Sequence, residues 1–199
     1  MEAKGDYGES PLCFAIEWEY NLIVELLLQR GANTETWYPN GMTPLISAIV
    51  KPDLALARLL LENKANVETK NIHTRGDGST PFLMTPLVWI MHHLITSRGV
   101  AEFFYMQECK MLAEPLLEYK ADIEAKHPAF GQSSLSCAAE IGNMVMVEVL
   151  LRHGADILSK DNRGILPMDH ALRNGHTEVA ELLLSKTSVP SGSTARRRR

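Results

Sequence analysis

Two short markers recur along the chain with one shared spacing, and that constrains the fold more than any other feature. Helix openings stand at Ser10-Pro-Leu, Thr43-Pro-Leu, Thr85-Pro-Leu, Ser133-Ser-Leu and Leu166-Pro-Met, at intervals of 33, 42, 48 and 33 residues. Helix exits stand at Gly31-Ala-Asn, Lys64-Ala-Asn, Lys120-Ala-Asp and Gly154-Ala-Asp. In the first, second and fourth units the alanine follows the opening by 22 residues. Each unit reads as a short helix, a tight turn, a second helix and a polar exit, with Ser133–Asp161 the most regular copy. Neither helix of such a unit can bury its apolar face alone, so the copies must stack.

Elementary chemistry accounts for the markers. Ser10, Thr43, Thr85 and Ser133 place a hydroxyl where a helix leaves backbone N–H groups unpaired. Pro11, Pro44 and Pro86 occupy the first helical position, where a missing N–H costs nothing. Ala15, Ala48, Ala138 and Ala171 are small where first helices approach their neighbours, and Leu26–Leu28, Leu59–Leu61 and Leu182–Leu184 form apolar faces on the second helices. Gly31 and Gly154 suit a left-handed helix exit; Lys64 and Lys120 must adopt it with strain.

The period and the T-P-L opening resemble the ankyrin repeat, over nearly the whole chain. The resemblance implies an all-α repeat solenoid of about five helix-turn-helix units with β-hairpin-like tips. The array is assigned to residues 6–186, with units at about 6–38, 39–71, 80–126, 129–161 and 162–186, followed by a disordered basic tail at 187–199. The resemblance also implies a concave binding face lined by hairpin tips and first helices.

Departures from the period mark what is particular to this chain. Nine extra residues between the second and third units fall in Lys70–Leu83, a Gly/Ser/Thr-rich loop at a hairpin tip. Fourteen extra residues around Met91–Lys110 read as lengthened helices joined near Ser97–Gly99, and Pro115 is expected to kink the second of them. Leu166 lacks the hydroxyl cap and no Gly-Ala-Asp follows Leu184, as suits a terminal repeat.

Chemistry-bearing motifs are few. The chain has no glycine-rich phosphate loop, no GxSxG and no HExxH, so no catalytic residue, cofactor or metal is expected, and the chain is expected not to be an enzyme. His92, His93 and Cys109 are not read as a metal site, because adjacent histidines point to different helix faces. Three widely spaced cysteines, Cys13, Cys109 and Cys137, read as reduced thiols of an intracellular protein. His170 and His176 read as structural hydrogen-bonding residues at the turns. The net charge is −4, and −8 without the arginines at 196–199, which argues against a general nucleic-acid surface. The apolar runs are too short to span a membrane.

The expected function is therefore a non-catalytic protein-interaction module, a scaffold or adaptor, binding a protein partner as a monomer, with neither nucleic acid nor membrane as partner. A substrate-recognition or regulatory segment of an enzyme, with catalysis in another chain or domain, is the alternative. By resemblance the candidate partner-binding residues are Trp37 and Tyr38 in the first tip, Arg75 and Phe82 in the long loop, His127 and Phe130 in the third tip, and Asp169 on an inner helix. Trp and Tyr are the residue types enriched at binding hot spots. Trp89 reads equally as groove or core. The location is expected to be cytoplasmic or nuclear, with Arg196–Arg199 a candidate import signal.

Overall fold

The computed structural model describes residues 10–73, 82–96 and 102–187. They form five helix pairs: α1 (Pro11–Glu17) with α2 (Asn21–Gln29), α3 (Pro44–Val50) with α4 (Leu54–Glu62), α5 (Pro86–Thr96) with α6 (Glu102–Glu118), α7 (Ser134–Glu140) with α8 (Met144–Arg152), and α9 (Pro167–Arg173) with α10 (Thr177–Thr187). First helices stack in the order α3, α5, α7, α9, and second helices in the order α4, α6, α8, α10. This is an all-α repeat solenoid.

The caps form largely as the hydroxyls require. Ser10 Oγ accepts from the Cys13 N–H at 3.2 Å, Thr43 Oγ1 from Ile46 at 3.5 Å, and Ser133 Oγ from Ser136 at 3.3 Å. Thr85 departs from the expectation: its buried hydroxyl has no hydrogen-bond partner among the described residues. Capless Leu166 is compensated three residues on, where the Asp169 carboxylate accepts the Leu166 N–H at 3.3 Å.

Left-handed exits occur at the expected positions in all four units, with φ of 78° at Gly31, 68° at Lys64, 70° at Lys120 and 89° at Gly154. Each is closed by the same pair of backbone bonds, as in Lys64 N–H to Leu61 O at 3.0 Å and Ala65 N–H to Leu60 O at 2.9 Å. Glu19 also adopts the left-handed region, at the inter-helix turn where Gly142 and Gly175 stand in the regular units.

One hydrophobic core runs through the stack. Leu12, Leu45, Leu87 and Leu135 are fully buried at one register position, and Leu60, Leu116, Leu150 and Leu183 at another. Each such leucine contributes about 1.5–3 kcal/mol. The enlarged third unit carries the longer helices expected of it; its junction near Ser97–Gly99 lies outside the described residues. α6 runs from Glu102 to Glu118 through Pro115, so the proline removes one helical N–H without ending the helix. The tail at 188–199 lies outside the described residues.

The long loop after the second unit is partly regular. Asn71–His73 (β1) pairs antiparallel with Phe82–Met84 (β2), Asn71 opposite Met84. That pairing extends a turn found in the other units. Tyr38 N–H donates to Met42 O at 2.8 Å, His127 N–H to Gln132 O at 2.8 Å and Asp161 N–H to Ile165 O at 3.1 Å. The two strands stand where the other units have that shorter turn, and α5 opens at Pro86, next to the Thr85 opening.

Candidate interaction surface

The hairpin tips begin six residues beyond the exit alanines, with Tyr38, Asn71, His127 and Asp161 at one register position. Side chains alternate in direction along extended backbone. The four residues just before, Trp37, Lys70, Lys126 and Lys160, are all exposed. Trp37 is 61% exposed, whereas Tyr38 is 6% and His127 1% exposed. Two expected contact residues are therefore corrected: Tyr38 and His127 occupy the inward position of the tip and present no ring to a partner. His127 instead stacks between His92, with ring centroids 5.1 Å apart, and Phe130 at 4.7 Å. Its Nδ1 accepts the Ala129 N–H at 3.2 Å and its Nε2 lies 3.1 Å from His92 Nδ1, so the tautomer that fits carries the His127 proton on Nε2. Phe130, held by this stack, is still 39% exposed.

The other candidates separate as follows. Asp169 is half-buried, and its Oδ2 makes the α9 cap described above. Arg75 lies outside the described residues; Phe82 stands in β2, opposite His73, and its side chain is not among those described. Trp89 is buried and belongs to the core.

A row of carboxylates ties successive tips together, and the sequence reading missed it. Glu35 accepts the Asn66 N–H, Glu68 the Asp122 N–H and Glu124 the Asp156 N–H, each at 2.8 Å. Each glutamate stands three residues after its exit alanine, where the fourth unit has exposed Leu158. That recurring spacing was a legible signal. Charge-assisted bonds of this kind set the spacing of the exposed row Trp37, Lys70, Lys126, Lys160. Lys126 Nζ also donates to Lys160 O at 2.7 Å.

Buried titratable groups serve the stack. His170 Nε2 lies 3.0 Å from Asp161 Oδ2, and His170 Nδ1 lies 3.6 Å from Glu140 Oε2, bridging the fourth and fifth units. Burial disfavours the Asp161 carboxylate, but N–H groups of Ile165 and Arg163, together with His170, outweigh it and hold the group below the usual aspartate range. The His176 ring packs on Gly142, and the turn bond of that residue is made by its backbone N–H to Ala171 O at 2.9 Å. Burial lowers the His93 pKa. Burial, reinforced by Glu140, raises that of the Cys137 thiol well above its ordinary value. Cys13, Cys109 and Cys137 are buried and unpaired to one another. Among the described residues no three His, Cys, Asp or Glu side chains are grouped to hold a metal ion. No described helix is long and apolar enough to cross a membrane.

A sequence profile described as ankyrin repeats (3 copies) matches residues 1–71 and 103–192. The chain belongs to the ankyrin-repeat family. Among its relatives, the ankyrin repeat and KH domain-containing protein mask-1 of Caenorhabditis elegans is 31% identical over 89% of this chain and 7% of its own length. The potassium channel AKT1 of Arabidopsis thaliana is 30% identical over 88% of this chain and 21% of its own. The glycerophosphocholine phosphodiesterase GDE1 of Candida albicans is 41% identical over 38% of this chain and 6% of its own. The chain thus spans a small part of the curated relatives it matches. Ankyrin repeats are protein–protein interaction modules as a family.

Proposed function

We propose that this ankyrin array is a non-catalytic scaffold or adaptor that binds an acidic, extended segment of a protein partner along its hairpin tips. The observation that carries this reading is the exposed indole of Trp37 at the head of the row Lys70, Lys126 and Lys160. Trp37 supplies an apolar anchor of the kind that dominates binding energies, and the three ammonium groups supply complementary charge and a salt-sensitive on-rate. Phe130, in the same tip as Lys126 and 39% exposed, adds a second, weaker apolar contact. Affinity capture from the native source tests the reading, with wild type, Trp37→Ala and Lys70→Glu/Lys126→Glu/Lys160→Glu as baits. A genuine partner is lost from both variants and released by added salt; equal capture by all three baits refutes this site.

The similarity to a protein named as a phosphodiesterase favours one second reading, in which the array is the recognition segment of an enzyme whose catalysis lies elsewhere. Recovery of a catalytic chain with the bait, lost in the same variants, would support it. Three buried cysteines that form no disulfide with one another support an intracellular location, and deletion of residues 196–199 tests nuclear import.

A further inference from the structure

The tip at residues 127–132 is closed differently from the tip that follows it. There Asp161 holds the turn, its Oδ1 accepting the Arg163 N–H at 2.8 Å, two residues on. His127 stands at the same register position and uses a ring nitrogen instead: Nδ1 accepts the Ala129 N–H at 3.2 Å, again two residues on. Its Nε2–H donates to His92 Nδ1 at 3.1 Å, and the two imidazoles are buried, 1% and 6% exposed. Two backbone bonds complete the tip, Gly131 N–H to His127 O at 2.7 Å and His127 N–H to Gln132 O at 2.8 Å. Phe130 stacks on the His127 ring, and its carbonyl accepts the Asn162 N–H of the next tip at 3.2 Å.

Three ring nitrogens are thus committed, and the arrangement fits neutral rings. A proton added to His127 Nδ1 would meet the Ala129 N–H, and one added to His92 Nδ1 would meet the His127 N–H. Either turns a buried hydrogen bond into two opposed donors. We infer that the His92–His127 pair is a proton-sensitive latch, whose protonation opens this tip, releases Phe130 from its stack and so weakens the binding surface proposed above. The opening stands on the tip's own geometry; its effect on a partner rests on that functional reading. Imidazole changes charge between about pH 5 and 8, so the tip is closed at the upper end of that interval and opens toward the lower.

The ionisable groups on the surrounding elements have partners of their own. α7 brings Glu140, whose Oε2 takes the Gln132 amide and faces His170 Nδ1 at 3.6 Å, and the buried Cys137 thiol. On α6, Cys109 is buried, Lys110 pairs with Glu114 at 4.0 Å and Glu118 with Arg58 at 3.3 Å. α3 carries no ionisable residue. Lys126 in the tip itself reaches Lys160 O, and Asp161 in the next tip bonds His170. His93 adjoins His92 on α5, and the side chains of His73, Glu102 and Glu108 are not among those described.

Amide hydrogen exchange on the 199-residue chain tests the latch without a partner, with circular dichroism as a fold control. The Gly131 rate is read against Gly41, whose N–H bonds Tyr38 O at 2.8 Å in a tip without histidine, so the pH dependence of exchange itself cancels. From pH 7.5 to pH 5.5 the ratio is expected to rise about 10-fold, the size of one lost buried hydrogen bond, while the His92 and His127 ring signals move over the same interval. His127→Asn, whose side-chain oxygen can hold the Ala129 N–H as Asp161 holds that of Arg163, is expected to keep the ratio constant. A constant ratio in wild type overturns the latch. So does an equal rise in His127→Asn, or ring signals that titrate while the ratio stays fixed. Partner capture is expected to fall at pH 5.5 for wild type and to persist for His127→Asn; an equal response of both baits overturns the regulatory link. Capture that fails at every pH refutes the binding surface alone, and exchange still decides the latch.

Discussion

Replacing Lys64 and Lys120 by glycine should make the protein more stable. Both lysines sit at φ near 70°, in the position that Gly31 and Gly154 occupy in the other units. A side chain in that region costs about 1–2 kcal/mol. Glycine removes this cost but gives back about 0.5–1 kcal/mol through the larger freedom of the unfolded chain. The net gain expected is about 0.5–1 kcal/mol per site. Both side chains are exposed, so trimming them loses little packing, and the closing bonds from residues 64, 65, 120 and 121 are backbone bonds that glycine retains. The sites lie in different units without a shared partner, so Lys64→Gly/Lys120→Gly should gain about 1–2 kcal/mol. At this chain length that raises the melting temperature by about 2–8 °C. Urea and thermal unfolding followed by circular dichroism measure it, with Lys64→Ala/Lys120→Ala as control. Alanine keeps the Cβ and therefore the strain. The reasoning fails if the glycine variant is no more stable than wild type, or if alanine yields the same gain, which would assign the effect to lost charge.

Three further outcomes follow from the same geometry. Gly142→Ala should cost about 2–3 kcal/mol, because φ is 71° there and the new Cβ would overlap the His176 ring; adding His176→Ala should recover part of the loss, and no recovery would discount the clash. The Asp161 pKa is lower in the folded than in the unfolded chain, so the stabilisation is full above about pH 4 and disappears as pH falls through the lowered folded value. Melting temperatures from pH 6 to pH 2 should therefore fall less steeply for Asp161→Asn, which begins less stable, and an identical acid limb would remove Asp161 from the account. Cys137, buried with its thiolate disfavoured, should react with a thiol reagent at pH 8 only on unfolding, and prompt labelling of the native chain at Cys137 would contradict that placement.

Much of the scaffold was legible because it obeys rules that act over a few residues. A hydroxyl at a helix start, proline after it and glycine beyond the end satisfy backbone groups within one turn, so Ser10, Thr43, Ser133, Gly31 and Gly154 could be assigned from the chain alone. Spacing alone likewise identified an enlarged third unit and an insertion at the second tip. The tips were harder. Trp37 and Tyr38 look alike in sequence, yet one is outside and the other inside, because a side chain's direction depends on the turn that closes from residue 38 to residue 42. His127 looked like a tip contact and is the middle of a ring stack, since His92 reaches it from 35 residues away.

The repeat, its register and its strained exits were thus properties of the sequence by itself, each written in bonds between residues at most five apart. Burial was not. Phe14 and Cys137 hold the same position in the period and have the same first-helix setting, but one is open and the other closed. The difference lies in the neighbouring unit: Cys137 has a preceding helix pair against it, and Phe14 has none among the described residues. Apolar area leaves water only when a second surface covers it, so the stacked structure alone decided which face of this periodic chain is core and which remains available to a partner.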